Sequence, residues 1–269
     1  MHESPVNQAA GLLGLSRPSA PRMMAMVGHG DTQSELPLLW RLCWTLSDMG
    51  YPVTVLDATS FETDANPGLA HRLGDAYWHS GTATDAPAWD IIPSGRAIQS
   101  MCGAPSPQSC CHDALGQLFS HETIVILYSR VEWLIPLLGG CNVAPLLAVS
   151  PNRTSLLSSY QALKRLLING KLKPTIASME PQSREEADFT STNTGVASLA
   201  ECAKNFLGYE VNAIHIAATA DNPRTHADLQ RLALRMIESA VLLGNDSTTM
   251  AQRVITNHLL DMDRFVGSH

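Results

Sequence analysis

The stretch 24-MAMVGHGDTQSELPLLWRLCWTLSDMGYPVTVLDA-58 decides the fold. It opens in the apolar run 23-MMAMV-27 and passes through a glycine-bearing loop, 28-GHGDTQSE-35. Leu38, Leu39, Leu42, Leu46 and Met49 then fall on one helical face, and after Gly50 comes a second apolar run, 53-VTVL-56. Strand, loop, helix and strand follow one another. A loop between a strand and a helix N-terminus is a natural phosphate seat, because backbone N–H groups and the helix dipole both point at the ligand. Such a loop ordinarily carries a lysine. This one carries Asp31 and Glu35, and no lysine occurs before Lys164.

Outward from that unit the pattern repeats. The runs 124-IVIL-127, 143-VAPLLAV-149, 174-PTIAS-178 and 211-VNAIHIA-217 lack polar alternation, as strands buried on both faces of a parallel sheet do. Between them, Leu156, Tyr160, Leu163 and Leu167 have helical spacing, with Thr154 or Ser155 as N-cap. Leu199, Cys202, Ala203 and Phe206 form another face, and Leu229, Leu232, Met236 and Ala240 a further one. Alternating strands and helices predict an α/β fold with a doubly wound, mostly parallel sheet flanked by helices. The polar segments 58-ATSFETDANPG-68, 80-SGTATDAPAW-89 and 180-EPQSREEADFTSTNTG-195 read as loops. The expected division is an N-terminal arm over residues 1–20 with a short helix, an α/β domain over 21–245, and a C-terminal helix over 246–269.

Bulk composition narrows the function. At 269 residues, 45% hydrophobic and 16% charged, the chain is globular and low in charge. A net charge of −7 argues against nucleic-acid binding, which requires clustered Lys and Arg. The six cysteines, Cys43, Cys102, Cys110, Cys111, Cys141 and Cys202, are scattered as reduced thiols of a cytoplasmic protein would be. The start MHESPVNQAAGLLGL lacks the basic and long apolar regions of a signal peptide, and no apolar run reaches membrane-spanning length. Cys102, Cys110, Cys111 and His112 have the wrong spacing for a zinc site, so no metal is expected. His29 reads as a surface loop residue. Trp40 and Trp44, four apart, read as packed in the core or beside the loop; exposed, they would anchor a partner.

Order and motifs together resemble the MinD/ParA group of P-loop ATPases, and within it most nearly FlhG (also called FleN or YlxH), the regulator of flagellar number and placement. That group carries a loop K-G-G-x-G-K-T, a helix ending in M-G and a strand ending in D-A-D; here 46-LSDMGYPV-53 and 55-VLDAT-59 match without a gap from Met24 to Thr59. The likeness extends over about residues 7–243. It includes 89-WDIIPSGRAIQSM-101, 146-LLAVSPNRTSLLSSYQALKRLL-167 and 201-ECAKNFLGYEVNAIHIAATAD-221. The chemistry departs from the family at four places. In the loop Gly28 and His29 lead to Gly30 at the family's signature lysine, Thr32 and Ser34 replace glycines, Glu35 stands at the phosphate lysine and Leu36 at the magnesium threonine. At the strand end Asp57 remains, but Thr59 replaces the second Asp. Tyr128, Ser129 and Arg130 stand where the family has Asp-Thr-Gly-Ala-Gly, and Ser178 and Met179 where it often has an adenine-contacting Asn.

Two acids beside a triphosphate would each cost on the order of several kcal/mol, against roughly 1 kcal/mol from the helix dipole. The resemblance therefore implies a pseudo-ATPase without ATP or magnesium, acting through protein contacts in placing or assembling a flagellum or another polar surface machine. The segment 7-NQAAGLL-13 resembles the FlhG helix D-Q-A-x-x-L-R that binds the GTPase FlhF, with Gln8, Ala9 and Leu12 matching. The implied partner is an FlhF-type GTPase or a flagellar or secretion basal component, met in the cytoplasm, at the inner face of the membrane or at a cell pole. With Asp261 and Asp263 beside Arg253 and Arg264, the C-terminal helix is expected to make no direct membrane contact. With Gly30 at the signature lysine, the chain is expected to be a monomer or a nucleotide-independent dimer. Two alternatives remain open: a non-hydrolysing nucleotide switch drawing charge from Arg96, Arg130 and Arg153, and a MinD-like partner in cellulose export.

Overall fold

The computed structural model describes residues 20–74, 89–119, 122–150, 152–179, 191–216 and 223–244. Within them β1 (Arg22–Val27) is the central strand of a sheet ordered β3-β2-β4-β1-β5-β6-β7. The members are β2 (Val53–Asp57), β3 (Trp89–Pro93), β4 (Ile124–Ser129), β5 (Leu146–Val149), β6 (Thr175–Met179) and β7 (Ala213–Ile216). All the pairings along this path are parallel, with Met26 opposite both Tyr128 of β4 and Leu146 of β5. A two-residue β8 (Val241–Leu242) adds antiparallel to the first residues of β1. The doubly wound parallel sheet expected from the apolar runs is the observed fold.

The helices divide between two faces. α1 (Thr32–Asp48) and α8 (Pro223–Glu238) cover one, packing Leu38, Leu42, Leu46, Leu232 and Met236 onto Met24 and Met26 of β1. On the other lie α3 (Gly95–Cys102), α4 (Pro107–Leu118), α5 (Val131–Leu138), α6 (Arg153–Arg165) and α7 (Ser191–Leu207). These pack Ile98, Leu115, Leu134, Leu163 and Leu199 onto Met23, Ala25 and Val27. Alternate residues of one strand thus feed two apolar layers, which is why β1 carries no polar residue after Arg22. A short α2 (Gly68–Gly74) precedes residues 75–88.

Four details differ from expectation. Residues 191–195 belong to α7, not to a loop, and Trp89 begins β3. The N-cap of α6 is Asn152, whose side chain accepts from the Thr154 N–H at 3.2 Å, rather than Thr154 or Ser155. Phe206 is 74% exposed, so the apolar face of α7 stops short of it. The expected N-terminal helix with Gln8, Ala9 and Leu12, and the C-terminal helix, lie outside the described residues. Among the described residues no helix is long and apolar enough to cross a membrane.

Candidate functional site

In a doubly wound sheet ligands bind beyond the carboxyl ends of the strands, where successive connections leave in opposite directions. Here β4 and β5 flank β1, so the loop after Val27 lies between Tyr128 and Ser129 on one side and Ser150 on the other. The Gly28 N–H donates to the Ser129 carbonyl at 2.8 Å, tying the loop to β4. A β-carbon at Gly28 would come within 3.2 Å of both Thr59 and Tyr128, so glycine lets those two side chains close over the loop. Gly30 turns the chain with φ +99°, a conformation that side chains rarely adopt. That turn aims the N–H groups of His29 and Asp31 inward.

Both meet the same atom. Oε1 of Glu35 accepts from the His29 N–H at 2.9 Å and from the Asp31 N–H at 3.0 Å. The other carboxylate oxygen accepts from the Tyr128 hydroxyl across 93 residues of sequence. Glu35 is fully buried. A carboxylate removed from water costs several kcal/mol unless its lone pairs are met by donors. Here two loop N–H groups and a tyrosine hydroxyl meet them, in the geometry of an anion nest. Burial pushes the Tyr128 hydroxyl pKa up, and the nearby carboxylates of Glu35, Asp57 and Asp31 push it further, so it remains a donor.

His29 is not a surface residue. Its ring is 2% exposed, with Nε2 2.9 Å from the Ala148 carbonyl and 3.4 Å from Oε1 of Glu35, and Nδ1 2.9 Å from Ser158 Oγ. A carbonyl only accepts, so this geometry puts a proton on Nε2. Gly30 reverses the chain and folds the His29 ring against α6, a contact 129 residues distant in sequence that the local pattern does not show.

Asp31 turns the other way. Its carboxylate accepts from Ser34 Oγ at 2.7 Å and Ser150 Oγ at 2.8 Å. Burial alone would raise its pKa, but hydrogen bonds with Ser155, Ser34 and Ser150 and the charge of His29 together hold it below the usual carboxylate value. The two loop acids thus lie in separate cages. Asp57 accepts from the Thr59 N–H and hydroxyl at 2.9 and 2.6 Å and from Ser60 Oγ at 2.6 Å, a local turn closed on itself. Thr32 begins α1, and Leu36 is 40% exposed on its outer side. Arg130 lies 6.0 Å over the Trp133 ring, Arg153 is exposed at the start of α6, and Arg96 lines a cleft of about 740 Å³ between α2, α3 and α4. No hydrogen bond or ion pair among the described residues joins these arginines to Glu35 or Asp31. Nor do three His, Cys, Asp or Glu side chains gather there as a metal site would require.

Tyr128, Ser150, Ser155 and Ser158 complete the site without having been singled out in the sequence for these roles. Tyr128 and Ser150 stand at the carboxyl ends of β4 and β5, and that position is the signal by which strand order would have found them.

Comparison with solved structures agrees with this topology. The chain superimposes on cobyrinic acid a,c-diamide synthase from Mycobacterium smegmatis with bound ADP and magnesium at a TM-score of 0.54, with 13% identity over 84% of this chain and 98% of that one. The likeness is one of fold, a parallel sheet with helices on both faces. Other similar structures are a ParA family ATPase from Chlorobium tepidum (TM-score 0.46, 13% identity, 79% and 98% covered) and a putative plasmid partition protein from Borrelia burgdorferi bound to AMPPNP (0.49, 12%, 81% and 99%). No protein-family model and no curated protein sequence matches the chain.

Proposed function

We propose that the chain is a pseudo-ATPase of the MinD/FlhG kind, which keeps the P-loop scaffold and works by protein contacts. One observation carries this: the anion seat of the loop holds the chain's own Glu35 carboxylate, bound by two backbone N–H groups and Tyr128. A nucleotide phosphate would have to expel that buried carboxylate and then lie beside Asp31, with no lysine in the loop to neutralise it. The residues present do not fit Mg-ATP. Leu36 offers no hydroxyl to magnesium, and Asp57 already serves Thr59 and Ser60. Filling the seat internally preserves the shape of the loop and of α1 without a ligand, as a protein used for its surface requires.

The flagellar assignment rests on the sequence likeness of 7-NQAAGLL-13 to the FlhF-binding helix. The partner is then an FlhF-type GTPase or a basal component of a flagellum or secretion machine. Placement is cytoplasmic, with recruitment to the inner face of the membrane or a cell pole. Calorimetric titration of the purified chain with Mg-ATP and Mg-ADP is expected to give no heat of binding, and the protein is expected to release no nucleotide on denaturation. Micromolar binding, or turnover abolished by Glu35→Ala, would overturn the proposal.

A further inference from the structure

Trp40 and Trp44 are 52% and 60% exposed, where packing in the core or beside the loop was expected, and each rests edge to face on Trp89. A more enclosed surface lies on the other face of the sheet. There α2, α3 and α4 leave between them the cleft of about 740 Å³ that Arg96 lines. Small-molecule sites typically occupy about 300–1,000 Å³. The sequence accounts for the open space. α2 has seven residues, of which Gly68 and Leu69 are buried. Gly68, with φ +54°, is pinned against the end of β3, since a β-carbon there would meet the Pro93 carbonyl. Beyond this anchor each of the three helices turns an alanine to the cleft, Ala70, Ala97 and Ala114, where larger side chains would close it.

The lining sorts by depth and by charge. Ala97 and Met101 are 7% and 5% exposed and form the floor, while Arg96 is exposed at the rim. The described lining holds two guanidiniums and no carboxylate, in a chain with 25 acidic and 18 basic residues. The two arginines differ. Arg72 donates to Asp90 at 3.0 Å. The backbone N–H of Arg96 is taken by Glu62, but no hydrogen bond or ion pair to a described residue holds its guanidinium. As the second residue of α3, Arg96 also stands at the end of the helix where the dipole disfavours a cation.

We infer that the cleft binds a small aliphatic carboxylate, its chain on the floor at Ala97 and Met101 and its charged end on Arg96. A guanidinium meets a carboxylate through two parallel N–H bonds. The described lining has no aromatic ring to stack on a nucleobase and no lysine to meet a triphosphate. A cation would face two guanidiniums, and a neutral ligand would cover Arg96 without pairing it. None of the lining residues belongs to the cages of Glu35 and Asp31, so the inference stands whether or not the loop binds nucleotide.

Cys110 lines the cleft and is exposed, so its thiol reports occupancy. The test is titration of the full chain with decanoate, read by calorimetry and by pulsed iodoacetamide labelling with mass mapping. Decanoate is expected to bind with a Kd of about 10–100 µM. At saturation it should slow labelling of Cys110 about tenfold and leave Cys202 of α7 unchanged. Hexanoate should bind at least about tenfold more weakly, because less chain is buried. Decylammonium, of the same length and opposite charge, should not bind. Arg96→Gln should weaken decanoate at least about tenfold with unchanged circular dichroism. Arg153→Gln, at the exposed start of α6, should have no effect. Absence of heat and of Cys110 protection at about 1 mM decanoate would overturn the inference. So would binding indifferent to Arg96→Gln, equal binding of decylammonium, or equal protection of Cys202, each of which marks general adsorption of an amphiphile.

Discussion

Glu35 gathers three donors that have no substitute acceptor: the N–H groups of His29 and Asp31, and the Tyr128 hydroxyl. Glu35→Ala leaves them all unmet, the Tyr128 hydroxyl buried and the two N–H groups partly so. At roughly 1–3 kcal/mol for each orphaned group, moderated by water entering the gap, the loss should be about 3–5 kcal/mol in urea unfolding. Glu35→Gln keeps one oxygen for the backbone and turns an amide toward Tyr128, whose hydroxyl can accept, so the cost should fall to about 1 kcal/mol. The alanine variant also exposes the nest. Inorganic phosphate should then raise its Tm while leaving the parent unmoved. An equal response in the two proteins would mean that the loop is not an anion seat. The sequence made the acid legible and the missing lysine with it, because both are local facts of 28-GHGDTQSE-35. It suggested repulsion of phosphate but not occupation of its seat. Occupation depends on Tyr128 and on the turn at Gly30, the first of which is 93 residues away.

At the scale of elements, the N-terminus of α3 shows a second carboxylate taking the place of a bound anion. Ser94 is the N-cap residue but makes no side-chain capping bond, and its hydroxyl is buried without a partner. The cap comes instead from Glu62, in the loop after β2, which accepts from the N–H groups of Arg96 at 2.6 Å and Ala97 at 3.1 Å. Glu62 is 3% exposed. Glu62→Ala should therefore destabilise by about 2 kcal/mol, the range of a charged cap, and Glu62→Gln by less than half of that. Equal losses for the two variants in urea unfolding would show that the charge facing the helix dipole contributes nothing. Local pattern placed most elements well, because continuous apolar strands and four-residue helical spacing are short-range signals. It did not show β3 as an apolar run, because its outer position leaves Asp90 and Ile91 exposed; Trp89 reads as the end of a loop, and only the family likeness of 89-WDIIPSGRAIQSM-101 points to a strand there. It also missed the Glu62 cap, which joins residues 34 and 35 apart and has no local signature.

At the scale of the whole molecule, the described residues form a sheet with an apolar layer on each face, and among them one buried cysteine sits in each. Cys43 of α1 belongs to the layer over Met24 and Met26, Cys111 of α4 to the layer over Met23 and Val27. Burial pushes both thiols up to about 12, and neither is more than 1% exposed, so in the native state neither forms the reactive thiolate near neutral pH. Alkylation of each therefore reports the opening of its own face. The layers share every residue pair of β1, since neighbours on that strand point into opposite cores, and loss of one leaves the strand half-solvated. One cooperative transition follows. In a urea series with pulsed iodoacetamide and mass mapping, Cys43 and Cys111 should gain label with the same midpoint, after the exposed Cys110 has reacted without denaturant. If Cys43 labelled first, the α1 and α8 layer would open by itself, and the Glu35 latch would be a local contact rather than part of the global fold. Coincident midpoints that shift together in Glu35→Ala would mean that the filled loop stabilises both faces through β1, so that the scaffold is complete without nucleotide.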